Sequence, residues 1–101
     1  MEKIAINNKT YEIIKDENKV IDIEELTECI TEYFEPFDYI VGDYAYSKLR
    51  LKGFYDSNNK NVKKYNDIAG LEQYIKEKCA YGCKWFEIKK INDWKPFFYL
   101  L

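Results

Sequence analysis

The segment from Lys48 to Tyr55 constrains the fold most strongly, because its side chains alternate between two kinds of surface. Leu49 and Leu51 lie on one side of an extended chain, and the intervening side chains lie on the other side. This two-residue period is typical of a strand with one face toward the core, so it predicts a strand with an exposed cationic face. The side chains of that exposed face are Lys48, Arg50, Lys52 and Phe54.

Two other segments have the spacing of three and four residues that is typical of an amphipathic helix. The first covers residues 22–35; Asp22 caps its start, and Pro36 disfavours helical geometry in the residue before it. The second covers residues 67–80 and ends near Gly82, which suits a left-handed position after a helix. The two apolar stripes consist of Ile23, Leu26, Ile30, Phe34 and Phe37, and of Ile68, Leu71, Ile75 and Cys79.

The remaining segments complete an α+β fold. Apolar residues alternate on both sides of Asn7-Asn8, which predicts a β-hairpin, and residues 38–44 and 83–91 have the character of buried strands. The element order is β-β-α-β-β-α-β, which favours a mostly antiparallel sheet with two helices. A second sheet layer stays open as an alternative, because the strands supply more apolar faces than one sheet with a solvated face requires.

The length of 101 residues corresponds to one domain. We expect residues 1–91 to form the globular body and residues 92–101 to form an aromatic tail that packs on it. An unpacked tail would expose more apolar surface than monomeric proteins usually tolerate. No apolar run approaches the length of a membrane span, and the N-terminal residues have no apolar signal core, so we expect a cytoplasmic protein without membrane association.

The types of residue that are missing limit the possible chemistry. The chain has no histidine, so it lacks the imidazole base and metal ligand on which many catalytic sites depend. The three cysteines, Cys29, Cys79 and Cys83, have neither zinc-site nor thioredoxin spacing, and their odd number predicts reduced, metal-free thiols. The sequence therefore predicts no cofactor, no metal and no enzymatic activity.

Three aspartates at predicted strand ends, Asp38, Asp43 and Asp56, are the nearest approach to a catalytic or Mg²⁺ site. Aspartates in such positions more commonly accept hydrogen bonds from the backbone of turns, and we expect that role here.

The charge is distributed unevenly along the chain. Residues 1–45 carry a net charge of −8 and residues 46–101 a net charge of +6. Cations interleaved with an exposed aromatic ring on a sheet are typical of domains that hold single-stranded RNA, so the basic strand predicts weak binding of single-stranded or ribosomal RNA. The candidate RNA-binding residues are Lys48, Arg50, Lys52, Phe54, Lys60, Lys63 and Lys64.

Two alternatives to RNA binding remain open. The cations can form an ordinary polar surface that pairs with acids on neighbouring strands. The acidic outer face of the first helix, or the aromatic tail, can instead bind a protein partner, which would make the chain an interaction or assembly module.

Three sequence blocks resemble the YutD-like family of small proteins from Gram-positive bacteria. They are the blocks at 38–43 (DYIVGD), 49–56 (LRLKGFYD) and 79–86 (CAYGCKWF), and their order and intervals also match, over about residues 37–90. The resemblance implies a layered α/β fold with one helical layer and one or two sheet layers. It implies no activity, and it carries over no catalytic or binding residue.

Overall fold

Five strands form one antiparallel sheet in the computed structural model, which describes residues 2–78 and 83–91. Their order across the sheet is β1-β2-β5-β3-β4. With two helices in the predicted places along the chain, this architecture confirms the α+β class and the element order. The described residues contain no second sheet layer. The strands are β1 (Lys3–Ile6), β2 (Lys9–Lys15), β3 (Tyr39–Ala45), β4 (Lys48–Phe54) and β5 (Trp85–Ile91).

Two tight hairpins join neighbouring strands. Asn7 and Asn8 connect β1 to β2, and Tyr46 and Ser47 connect β3 to β4; all four residues have φ between 50° and 66°. Positive φ at both central residues gives a turn whose twist matches that of the strands. Asparagine tolerates this conformation, whereas tyrosine and serine favour it less. Strand pairing therefore contributes more to the second hairpin than its turn residues do.

The first helix is shorter than the sequence predicts. α1 covers Ile23–Cys29, and the side chain of Asp22 accepts hydrogen bonds from the backbone N–H groups of its first turn, as predicted. Ile30 is extended, and a separate 3₁₀ turn follows at Glu32–Phe34. This break lets the rest of the predicted stripe, Ile30, Phe34 and Phe37, reach the core after the helix has ended.

The second helix begins later than the sequence predicts. α2 covers Leu71–Lys78, and a 3₁₀ turn at Ile68–Gly70 precedes it. The carboxylate of Asp67 accepts a hydrogen bond from the Ala69 N–H at 2.9 Å, so it caps this 3₁₀ turn rather than the α-helix itself.

The main core lies between α1 and one face of the sheet. Leu26 is buried against strand residues such as Ile40 and Ile88, and aromatic rings fill the remaining space. The ring of Phe86 lies over Gly42 and the ring of Phe37 lies over Gly53, so closely that a Cβ atom at either glycine would overlap the ring. These two glycines are therefore required by packing.

The prediction for the cysteines is wrong at one position. Cys29 is free, but Cys83 is disulfide-bonded. The third cysteine, Cys79, and the predicted aromatic tail at 92–101 lie outside the described residues.

Candidate functional site

The face of β4 that carries the cations is covered at its Phe54 end by α2 and by the segment before it, whereas Lys48 and Arg50 are exposed. Phe54 is only 1% exposed, and its ring contacts that of Tyr74 edge to face, with 5.5 Å between the centroids. The expectation that Phe54 stacks on a nucleic-acid base is therefore wrong, because the second helix folds back over this side of the strand. The alternation in β4 indicated two faces but not that α2 would cover the basic one.

Arg50 forms an ion pair with a carboxylate inside the protein. Its Nε donates to the Asp43 Oδ1 at 2.7 Å, across the β3–β4 pair, and the whole Asp43 residue is 1% exposed. A second guanidinium nitrogen donates to the backbone oxygen of Lys78 at 3.2 Å. The hydrogen bond to Asp43 raises the pKa of Arg50 further. Arg50 thus links the sheet to the end of α2. About half of its side-chain surface, 49%, is exposed to solvent and can contact a ligand.

Lys52 lies among aromatic rings. Its Nζ is 5.0 Å from the ring centroid of Phe54, 5.7 Å from that of Tyr74 and 6.0 Å from that of Tyr65. Partial burial lowers the pKa of Lys52, and the positive charge of Lys78 adds to this effect. The ammonium group is partly desolvated, and an anion that reached it would meet less competition from water.

These side chains border a cavity of about 950 Å³ between β4 and α2, which we call the basic groove. Four cations line it and two carboxylates, those of Asp67 and Glu77, balance them in part. Tyr65 stands at its rim with 73% of its surface exposed. The cations and rings of the basic groove are Arg50, Lys52, Lys64, Lys78, Phe54, Tyr65 and Tyr74.

A second, smaller depression of about 330 Å³ lies beside β4 on the side of the α1 core. We call it the aromatic pocket. Tyr33 and Tyr65 are mostly exposed at its rim. The two depressions share Tyr65, Leu51 and Lys52. The aromatic pocket is lined by Tyr33, Phe37, Leu51, Tyr55 and Tyr65, among others.

The model of one protein family, described as "Putative antitoxin YutD-like", matches residues 5–89 of the chain. The chain belongs to the YutD-like family. One relative in it, "Putative antitoxin YutD" of Bacillus subtilis strain 168, is 35% identical over 89 residues, which cover 88% of this chain and 98% of the relative.

The solution NMR structure of yutD from B. subtilis shows the same fold. It aligns with a TM-score of 0.74 at 34% identity, over 91% of this YutD-like chain and 84% of that chain. The resemblance in the three sequence blocks is thereby confirmed for both family and fold. None of the described helices is long and apolar enough to cross a membrane.

The YutD-like fold brings together only some of the residues predicted from the sequence. Arg50, Lys52 and Lys64 line the basic groove, whereas Lys60 and Lys63 do not. Lys48 is exposed at the start of β4, next to the hairpin turn, and it does not line the groove either.

Among the cations and aromatic rings of the groove, sequence reasoning missed three, Tyr65, Tyr74 and Lys78. Tyr74 follows Leu71 by three residues on α2, so the helical spacing was a usable signal for it. Tyr65 lies in a 3₁₀ turn without periodicity, and no pattern marked it.

Two strand-end aspartates have the expected structural role. The carboxylate of Asp38 accepts hydrogen bonds from the Asp56 N–H at 2.8 Å and from the side-chain amide of Asn59 at 3.0 Å. The carboxylate of Asp56 accepts one from the Asn58 N–H at 2.9 Å. Both stabilise the turn that follows β4.

Proposed function

We propose that this YutD-like protein is a non-catalytic binding module that holds a protein partner in the basic groove. One observation carries the proposal: exposed tyrosine, partly desolvated lysine and arginine border one groove on a folded sheet. Tyrosine and arginine are enriched among residues that dominate the energetics of protein interfaces. The name of the relative, "Putative antitoxin YutD", agrees with a protein partner.

The contacts in the groove favour a protein over RNA. Single-stranded RNA is held by successive bases that stack on several free aromatic rings, and of the three rings in the groove only that of Tyr65 is mostly exposed, since Phe54 is buried. Arg50 is already paired, and the carboxylates of Asp67 and Glu77 would repel a phosphate backbone that followed the groove. A protein segment with a few acidic side chains avoids this repulsion, since its charges need only meet the lysines.

Two neighbouring lysines provide a matched test of the proposal. Lys64 lines the groove and Lys63 does not, although both are exposed. The wild type and the Lys64→Glu and Lys63→Glu variants are used to capture partners from a lysate of the organism that encodes the chain, with and without nuclease. Captured proteins are then purified and titrated singly against each variant.

We expect a binary protein complex that nuclease leaves intact. Lys64→Glu should weaken it about tenfold, the equivalent of about 1.4 kcal/mol, whereas Lys63→Glu should change it little. A complex that nuclease abolishes would favour RNA instead. Equal losses in both variants would show that the groove is not the binding site.

A further inference from the structure

The open main chain of β4 is a second feature of the same region. Among the residues that the structure describes, β4 is the last strand of the sheet, and it pairs on one side with β3 and on the other with no strand. Ala45 pairs with Lys48 across the two-residue turn, and in an antiparallel pair the hydrogen-bonded positions then recur at Arg50 and Lys52. The N–H and C=O groups of Leu49 and Leu51 therefore point away from β3.

The residue just after β4 confirms this alternation. Tyr55 is an even number of residues from Leu49 and Leu51, so its main-chain groups point the same way as theirs. Its N–H donates to the backbone oxygen of Asn66 at 2.7 Å, and its C=O accepts from the Ile68 N–H at 2.9 Å. Both bonds point away from β3, toward the segment before α2. The outer side of the strand is thus closed at Tyr55 by the protein's own chain.

Within residues 2–78 and 83–91, the part of this edge that no other segment pairs with is short and well defined. The accessible stretch ends on one side before Gly53, which is buried, and on the other side at the hairpin turn of Tyr46 and Ser47. We call the stretch Lys48–Lys52, with the outward main-chain groups of Leu49 and Leu51, the open edge.

The two depressions lie on either side of the open edge. Leu51 and Lys52 contribute to the lining of both depressions, and the two-residue period of the strand decides the sides. Arg50 and Lys52 lie on the side of the basic groove with Phe54, whereas Leu51 lies on the side of the aromatic pocket with Tyr55. The side chains of a strand that paired with the open edge would alternate between these two sides. One set would meet cations and the other would meet aromatic rings.

We propose that the open edge of β4 binds an extended segment of the protein partner in which acidic and apolar residues alternate. Main-chain hydrogen bonds to Leu49 and Leu51 would provide affinity, and the two depressions would select the alternating side chains. This inference rests on the proposed function, because it specifies how the partner enters the groove.

Charge argues against a second copy of the chain as the occupant. In an antiparallel pair of two β4 strands, Lys48, Arg50 and Lys52 of both copies would lie on neighbouring positions of one face. Like charges in such positions repel, and lysines on edge strands are a common protection against self-association. An acidic segment turns the same charges into attraction.

Two fluorescent peptides of equal composition test the alternation. One has eight residues in which Glu and Val alternate, and the other has the same residues in pairs, Glu-Glu-Val-Val twice. We expect the alternating peptide to bind about tenfold more tightly in anisotropy titrations, since only it places every carboxylate on the basic side. Equal affinities would overturn strand pairing.

A proline variant tests the main-chain contacts. Leu51→Pro removes an N–H group that points outward and leaves the hydrogen bonds to β3 in place. Leu51→Ala is its control, because it also removes the leucine side chain beyond Cβ but keeps the N–H. We expect binding of the alternating peptide to fall at least about fivefold further in Leu51→Pro than in Leu51→Ala, with similar unfolding midpoints. Equal losses would contradict the proposal.

Amide exchange measured by NMR gives an independent readout that needs no variant. In the free protein the amides of Leu49 and Leu51 should exchange faster than those of Arg50 and Lys52, and the alternating peptide should slow the first pair selectively. Leu49 and Leu51 amides that exchange slowly in a dimer at high protein concentration would show that a second copy occupies the edge, and would overturn the inference.

The two proposals fail in different ways. If the captured partner depends on Lys64 but neither peptide binds and the Leu51→Pro variant captures it normally, strand pairing is wrong and the groove function stands. If the alternating peptide binds and the partner is indifferent to Lys64→Glu, the groove function is wrong.

Discussion

The two helices cover opposite faces of the sheet in different ways. α1 and the turn after it bury four side chains of one apolar stripe, Leu26, Ile30, Phe34 and Phe37. None of the eight residues of α2, Leu71–Lys78, is buried, and a cavity of about 950 Å³ separates part of this helix from β4. Dense packing is the main source of stability in a small domain, so the α1 face maintains the fold. The α2 face, which is held by fewer buried groups, is the side on which binding can be accommodated.

The difference in packing between the two helices can be tested most directly by making the same substitution on both of them. Leu26→Ala should lower the free energy of unfolding by about 2–5 kcal/mol, because it leaves a cavity in a closed core. Leu71→Ala on α2 should cost about 1 kcal/mol or less, since Leu71 is already partly exposed. Urea denaturation of both variants measures the difference. Equal costs would mean that α2 is as much a part of the core as α1.

A second change on the α2 face should separate stability from binding. Burial lowers the pKa of Lys52, so the folded state favours its charged form less than the unfolded state does. Lys52→Met keeps most of the volume and removes the charge. We expect a small rise in the urea midpoint together with weaker binding of the acidic partner. A fall in the midpoint would instead show that the contacts of the ammonium with the rings outweigh its desolvation.

The same comparison explains which predictions from the sequence were correct. The order of strands and helices along the chain, the Asp22 cap and the α1 stripe depend on local spacing, which the chain displays directly. The length of α1 was overestimated because the stripe continues through Phe34 and Phe37 after the helix has ended. Periodicity records which side chains face the core, and it does not record whether the backbone between them stays helical.

The candidate site could be predicted from the sequence less completely than the fold. The cations of β4 were identified, but whether they face solvent depends on where α2 returns, and that is decided by contacts between distant residues such as Phe54 and Tyr74. The open edge depends on the strand order, which places β5 rather than β4 between β2 and β3. No local pattern contains that information.

The smallest expected effect concerns a carboxylate on the face opposite the α1 core. Glu87 is partly buried in β5 between Lys15 of β2 and Val41 of β3. Burial raises the pKa of Glu87, and the nearby charge of Lys15 offsets this only in part. Because the folded state then holds the proton more tightly than the unfolded state, this group costs stability as the pH rises from the unfolded value, about 4.3, through the higher folded value.

Glu87→Gln should therefore raise the thermal midpoint slightly at pH 7 and leave it unchanged near pH 3.5, where the wild-type carboxyl is protonated in both states. Scanning calorimetry at the two pH values measures the difference, with Glu28→Gln on the exposed side of α1 as the control. An equal rise at both pH values would mean that the amide packs better than the carboxyl, independently of charge. A lower midpoint at pH 7 would mean that attraction to Lys15 exceeds the cost of burial, and this face would then resemble the α1 face in contributing to stability.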